Sequence, residues 1–256
     1  MYHNREFLCA IRASGLTLNI KKCNFAQAET IYVGHMIGSG KRRPDPGKVS
    51  AVLAIQPPEN KKQVRQVLGF FSHFRKYIPS FSKYSRVLSD LTGKRVPARV
   101  PWGQAEQQAL DKLKQLLTEA VLNPIHVVEC NKPFSVYVDA SDHSVGAALC
   151  QPADDGTDQP VSFASSKFTP TQRNWSTVEK EAYAAIYALQ RFKHWIFGTE
   201  VVLYSDHNPL SFLCDSVPKS SKLMRWALAL QEYNVQFKYK AGKLNEAADC
   251  LSRMVS

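Results

Sequence analysis

The chain has 256 residues, with 33 Lys+Arg against 22 Asp+Glu and a formal net charge of +11; that length has room for two or three small units, each burying a modest core. Its longest apolar runs are far too short to span a bilayer, and Met1-Tyr-His-Asn-Arg-Glu6 lacks the basic-then-apolar order of a secretory signal. Cys9, Cys23, Cys130, Cys150, Cys214 and Cys250 form no CxxC pair and no zinc spacing, so they read as reduced thiols of an intracellular protein.

From the N-terminus, Glu6 to Ala13 reads as a helix ended by Gly15, and Leu16-Thr-Leu-Asn-Ile20 alternates like a strand. Ile31-Tyr-Val-Gly-His-Met-Ile37 reads as a second strand before the turn-rich Gly38-Ser-Gly40. Pro57-Pro58 breaks the chain, and Asn60 with Gln63 has capping-box spacing. Val64, Val67, Leu68, Phe71, Phe74 and Ile78 follow at helical spacing until Pro79 stops the run. A second short helix puts Phe81, Tyr84, Leu88 and Leu91 on one face. Lys61, Lys62, Arg65, Arg75, Lys76, Lys83 and Arg86 decorate the pair. Lys94 to Pro101 is a basic, Pro-containing linker. After Trp102 a helix turns Ala109, Leu110, Leu113, Leu116 and Leu117 inward.

From residue 133 the pattern changes to strand, strand, strand, helix, strand, helix, strand and short helix. Phe134 to Val138, Val145 to Gln151 and Val161 to Ser165 read as an antiparallel meander, with the loop Ala153-Asp-Asp-Gly-Thr157 between the second and third. A long helix from Ser176 to Phe197 is closed by Gly198. Then come Val201–Ser205, a basic helix near 219–231 and the strand Val235–Tyr239.

The charge is uneven along this order. Residues 1–126 hold 20 Lys+Arg and 8 Asp+Glu, a net +12, whereas residues 127–256 hold 13 and 14, a net −1. A basic half joined to a carboxylate-bearing half suits a polyanion clamp beside a metal site; a solvated basic surface without a ligand fits the same charge.

Four acids stand out in the second half. Asp139 ends an apolar run, where a carboxylate is costly unless a cation offsets it; it also fits a simple turn before Ser141. In the long helix, Ser176-Thr-Val-Glu179 has N-cap spacing and gives Glu179 a structural role. Glu181, beside the stripe of Val178, Ala182, Ala185, Leu189 and Phe192, points at the sheet. Asp206 closes the Val201–Ser205 run next to the Asp139 strand, and its neighbour His207 is expected to point the other way. Asp249 follows Asn245, a fitting N-cap, in a first turn where the helix dipole favours an anion. Strand-Asp, helix-Glu, strand-Asp and helix-Asp can converge on one point and hold two divalent cations, a pair able to cleave a phosphodiester by in-line attack of water.

The same residues carry a family resemblance. Tyr137-Val-Asp-Ala-Ser141, Glu179-Lys-Glu-Ala-Tyr-Ala-Ala-Ile186, Ser205-Asp-His-Asn-Pro-Leu210 and Gly242-Lys-Leu-Asn-Glu-Ala-Ala-Asp-Cys-Leu-Ser-Arg253 resemble, in order, the ribonuclease H domain of Ty3/gypsy-type retrotransposon polyproteins. Upstream, the chain resembles the reverse transcriptase of the same polyproteins. The resemblance implies a palm remnant over 1–50, thumb-like helices over 51–95, a connection over 96–130 and an RNase H-like domain over 131–254. The implied class is α/β with an α+β N-terminal part: a mixed five-stranded sheet with flanking helices, preceded by the palm remnant and helical thumb.

The resemblance further implies catalytic and metal-binding roles for Asp139, Glu181, Asp206 and Asp249, holding two Mg²⁺ (or Mn²⁺). Glu181 falls where the Glu-x-x-Ala-Ala-Ile-x-Ala-Leu pattern puts its metal-binding glutamate. Val33, Gly34, His35 and Met36 stand where such enzymes grip the primer end, though a strand with a turn after it makes equal structural sense. Lys61, Lys62, Arg65, Arg75, Lys76, Lys219, Lys222 and Arg225 are the implied nucleic-acid contacts, and Trp226 fits contact or core. The implied partners are an RNA–DNA hybrid or primer–template duplex, read by groove shape, and an upstream polymerase segment. No membrane is implied; the place is a cytoplasmic particle or the nucleus.

Two departures qualify the match. Cellular enzymes of this kind carry a Gly-His loop before the last Asp; here Lys243 follows Gly242, which leaves the general acid open. No Tyr-x-Asp-Asp occurs in the chain, and Ala140 follows Asp139, so the chain by itself is not expected to synthesise DNA. The rival readings are a non-catalytic duplex-binding module from a decayed or domesticated element, and a tether within a larger polymerase.

Overall fold

Residues 2–206 and 221–240 are described by the computed structural model, and they form two β-sheets with helices packed against each. After α1 (Tyr2–Ala13) comes an antiparallel sheet of β1 (Glu29–Tyr32), β2 (His35–Gly38), β3 (Lys41–Pro44) and β4 (Ile125–His126), in that order. Two expectations fail here. Leu16–Ile20 is not a strand: Asn19 caps a 3-10 turn at Ile20–Lys22, and Leu16, Leu18 and Ile20 stay exposed. The apolar run over Ile31–Ile37 is not one strand but a hairpin, in which Tyr32 pairs with His35. Val33 and Gly34 take φ of 48° and 78°, the two successive left-handed residues that match the twist of a two-residue hairpin turn.

Helix α2 (Pro46–Leu53) has no counterpart in the sequence reading; Asp45 caps it by accepting from Gly47 N at 2.9 Å, with Pro at the helix start. Helix α3 (Lys61–His73) starts where Asn60 accepts from Gln63 N at 3.0 Å, and Gln63 Oε1 reaches back to Glu59 N at 2.7 Å. Asn60→Ala is therefore expected to cost about 1 kcal/mol, read as a lower urea midpoint with unchanged slope. The helical stripe expected to run to Ile78 breaks at His73, and a 3-10 turn over Arg75–Tyr77 follows. That tightening turns Phe74, Tyr77 and Ile78 all into the core. There they join Val64 and Phe71, Leu88 of α4 (Phe81–Asp90), and Leu110, Leu113 and Leu117 of α5 (Gln104–Leu122). Each such side chain contributes roughly 1.5–3 kcal/mol by leaving water.

The second sheet has the order β7-β6-β5-β8-β9. β5 (Phe134–Ala140), β6 (Ser144–Pro152) and β7 (Asp158–Lys167) form the antiparallel meander, while β8 (Glu200–Ser205) lies parallel to β5 and β9 (Asn234–Tyr239) parallel to β8. This is the mixed five-stranded α/β architecture expected. The short α6 (Pro170–Arg173) leads into α7 (Thr177–Ile196), and α8 (Ser221–Leu230) precedes β9. Ala182, Ala185, Leu189 and Phe192 of α7 pack on Val136, Val138, Val145 and Leu203; the alanines let the helix lie close to the sheet. Tyr137 and Tyr204 stack at 4.8 Å on the opposite face.

The outer edge of β7 is covered by the N-terminal half. Arg42 Nη2 donates to Val161 O at 2.8 Å, Arg75 Nη2 to Ser165 O at 2.6 Å, and Ser82 N to Ser165 Oγ at 2.9 Å. Among the described residues, Cys9, Cys23, Cys130 and Cys150 form no disulfide, and no helix is long and apolar enough to cross a membrane.

Candidate active site

The strand alternation that sends Phe134, Val136 and Val138 under α7 leaves Asp139 on the side of Tyr137, at the open end of β5. The β5/β8 register sets Tyr137 opposite Tyr204; continued two residues, it brings Asp206 opposite Asp139. Glu181 arrives from the second turn of α7 and is only 3% exposed. Its Oε2 is buried with no hydrogen-bond partner among the described residues. Asp249, Lys219 and His207 lie outside the described residues.

The three described acids sense one another. Burial, then the charges of Asp206 and Asp139, push Glu181 up to about 8, and the Ala140 N–H offsets part of this. Asp139 is open to the cleft at its surface, yet protein crowds its carboxylate and raises its pKa. Asp206 raises it further; the Ala140 N–H and the Lys83 ammonium draw it back. Among the described residues no three Asp, Glu, His or Cys side chains close around one point as a complete set for a single ion. Neighbouring groups are committed elsewhere. Ser176 and Glu179 form the capping box of α7, with Lys222 on Glu179 at 2.7 Å, so Glu179 serves the helix start. Lys180, beside Glu181, reaches Asp142 at 3.0 Å and ties the β5–β6 turn to α7.

Residues 129–233 match the family described as "RNase H-like domain found in reverse transcriptase". Over 98% of its length the chain is 31% identical to the "Retrovirus-related Pol polyprotein from transposon opus" of Drosophila melanogaster. Over nearly its whole length it is similar to the Pol polyproteins of transposons. The chain spans 26% of that relative's length. Its fold matches the foamy viral protease-reverse transcriptase solved with double-stranded DNA, at a TM-score of 0.77 and 20% identity, over 90% of this chain and 41% of that one. The foamy viral protease-reverse transcriptase solved with an RNA/DNA hybrid, without the dRH designation of the first, matches at 0.71 and 21% identity, over 87% and 30%. At such identities the likeness is one of fold.

The basic residues expected as nucleic-acid contacts divide into two sets among the described residues. Lys62 and Arg65 are exposed on α3, and Arg225 on α8. The others face protein: Lys61 bonds Gly93 O at 2.8 Å, Arg75 bonds Ser165 O, and Lys222 lies 4.0 Å over Trp175. Burial and then Arg42 lower Lys76 to about 8. Trp226 is half-buried against the core below the sheet and against Trp175. At the hairpin, Val33 and Gly34 form the turn and Met36 Sδ meets Arg43. His35 is buried, stacks on His73 at 4.9 Å and lies 3.1 Å from Tyr77 Oη. Desolvation, helped by Lys76 and its neighbours, lowers His35 to about 4 and keeps it neutral at pH 7. Sequence reasoning missed the Lys180–Asp142 tie; its one signal was a lysine adjoining Glu181 at the helix start.

Proposed function

We propose that this Pol segment, from a Ty3/gypsy-type element, hydrolyses the RNA strand of RNA–DNA hybrids at the end of β5. The observation that carries the reading is Glu181, a buried acid with an oxygen unpartnered among the described residues, facing two further carboxylates. Such an arrangement costs free energy until a cation offsets it, and perturbed acids in a cleft mark functional sites. Carboxylate oxygens suit a hard divalent ion, so Asp139, Glu181, Asp206 and Asp249 would hold two Mg²⁺, with Mn²⁺ as a substitute. The bound ions supply a lowered pKa for the attacking water and charge for the phosphoryl oxygens.

The chain's own residues set the stage for that step. The Ala140 N–H supports the charged forms of Asp139 and Glu181, and Lys180–Asp142 holds the turn between β5 and β6 against α7. Water oxygen attacks phosphorus, one P–O bond breaks, and the departing sugar oxygen takes up a proton. A hybrid is singled out by groove shape and 2′-hydroxyls rather than by base edges.

An upstream polymerase segment is the proposed protein partner. β1 is an edge strand exposed throughout, with Ile31 and Tyr32 at 58% and 67%, and adjoining chain would cover it. DNA synthesis is assigned to the parent polyprotein, since no Tyr-x-Asp-Asp occurs here. The setting proposed is intracellular, in a particle or the nucleus.

The test is cleavage of a labelled hybrid in Mg²⁺ by the purified chain, beside Asp139→Asn and matched single-stranded RNA. The hybrid alone should be cut, and the variant should be roughly 100-fold slower or worse, since outer-shell partners of metal ligands already cost 10–100-fold. A folded chain that binds the hybrid and never cuts it, in Mg²⁺ or Mn²⁺, leaves the binding-module reading in place.

A further inference from the structure

We infer that Ser82, Lys83 and Arg86 of α4 form a phosphodiester-binding subsite of the nuclease cleft, holding the strand beside the bond to be cut. The inference rests on the nuclease reading above. A cleft of about 400 Å³ has Asp139, Ser141 and His143 on one wall and Ser82, Lys83 and Arg86 on the other. The acids thus come from the near-neutral half of the chain, and the facing cations from the half with net charge +12.

The helix α4 is fixed in this place. Ser82 N is bonded to Ser165 Oγ at 2.9 Å, and Lys167 Nζ reaches Ser89 Oγ at 2.9 Å and Asp90 at 3.8 Å. The walls also approach closely at their base. A Cβ built on Gly146, the register partner of Asp139, would lie 4.0 Å from Ser80 Oγ and 4.0 Å from Asp139 O.

The donor chemistry fits one phosphodiester. Ser82 is 7% exposed, and its Oγ is buried with no hydrogen-bond partner among the described residues. Lys83 and Arg86, three apart on one helix face, make no salt bridge with any described acid. A hydroxyl, an ammonium and a guanidinium can each donate to the non-bridging oxygens of a phosphodiester, and such contacts fix strand register without reading sequence. The Lys83 ammonium already acts on Asp139 across the cleft.

The experiment compares the full chain with Lys83→Gln/Arg86→Gln and the charge-keeping Lys83→Arg/Arg86→Lys. It measures kcat and KM on the hybrid in Mg²⁺, the salt dependence of hybrid affinity in EDTA, and the thermal midpoint as a folding check. If the parent chain cuts, the Gln pair should lower kcat about tenfold or more with KM changed far less, because a misplaced strand loses alignment. The charge-keeping pair should recover most of that loss. An unchanged kcat, or a charge-keeping pair as slow as the Gln pair, overturns the subsite. If the parent chain does not cut, the nuclease reading fails and the salt dependence decides. A slope of log affinity on log salt that falls by about 1–2 in the Gln pair upholds a phosphate site, and an unchanged slope removes it.

Discussion

Glu181→Gln is expected to stop hydrolysis of the RNA strand while making the metal-free protein more stable at alkaline pH. The sign follows from the direction of the shift. The carboxyl moves from 4.5 to about 8 on folding, so the folded chain holds its proton more tightly than the unfolded one. Its contribution to stability is complete below about 4.5 and is lost as pH rises through about 8. Above that, folding must bury an anion beside two others. At about 1.4 kcal/mol per unit, the loss is on the order of several kcal/mol. Gln keeps the shape and removes the charge. The gap in thermal midpoint between variant and parent should therefore be small near pH 5 and widen to pH 9. Millimolar Mg²⁺ should close it by stabilising only the parent. Midpoints followed by circular dichroism across that range decide the matter. A gap that stays constant with pH would remove the buried-acid account, and brisk cleavage by the variant would remove Glu181 from the site.

The second large effect concerns the support beneath the acids. Leu189 is fully buried in α7 and packs in the cluster that includes Val136, Val138 and Leu203. Leu189→Ala should cost about 2–5 kcal/mol, by lost transfer energy and the cavity left behind. Leu228→Ala, at a side chain 58% exposed on α8, should change stability by less than about 0.5 kcal/mol. Urea midpoints measure both. Because α7 also delivers Glu181, the buried substitution should blunt the gain in stability from Mg²⁺ as well. A cost below about 1 kcal/mol would mean that α7 is held by something other than this stripe.

Much of the RNase H-like half could be read from its residues because each periodic run carries its own punctuation. Ser176 and Glu179 cap α7, Gly198 at φ 79° ends it, and the β5–β8 pairing follows from where the strands stop. The capping box also separated Glu179 from Glu181. The N-terminal half lacks such agreement between levels. Val33 is a β-branched residue at positive φ, so the hairpin turn hides inside an apolar run. β3 reads Lys41-Arg-Arg-Pro44, whose polar residues pair through β2 and the distant β4 rather than through any local pattern. The facing of α4 toward Asp139 is a contact between segments some sixty residues apart. No periodicity in either segment announces it.

The covering of β7 bears on how the RNase H-like half can be handled in the laboratory. Arg42, Arg75 and Ser82 occupy the rim of that strand, and Phe163 touches the apolar cores on both sides. Expressing residues from 129 onward alone would strip the rim and bare a long strand with unsatisfied carbonyls, a template for strand addition between copies. The excised domain should therefore precipitate or form soluble aggregates where the intact chain stays dispersed. Charged substitutions along the outward side of β7 would be the first remedy.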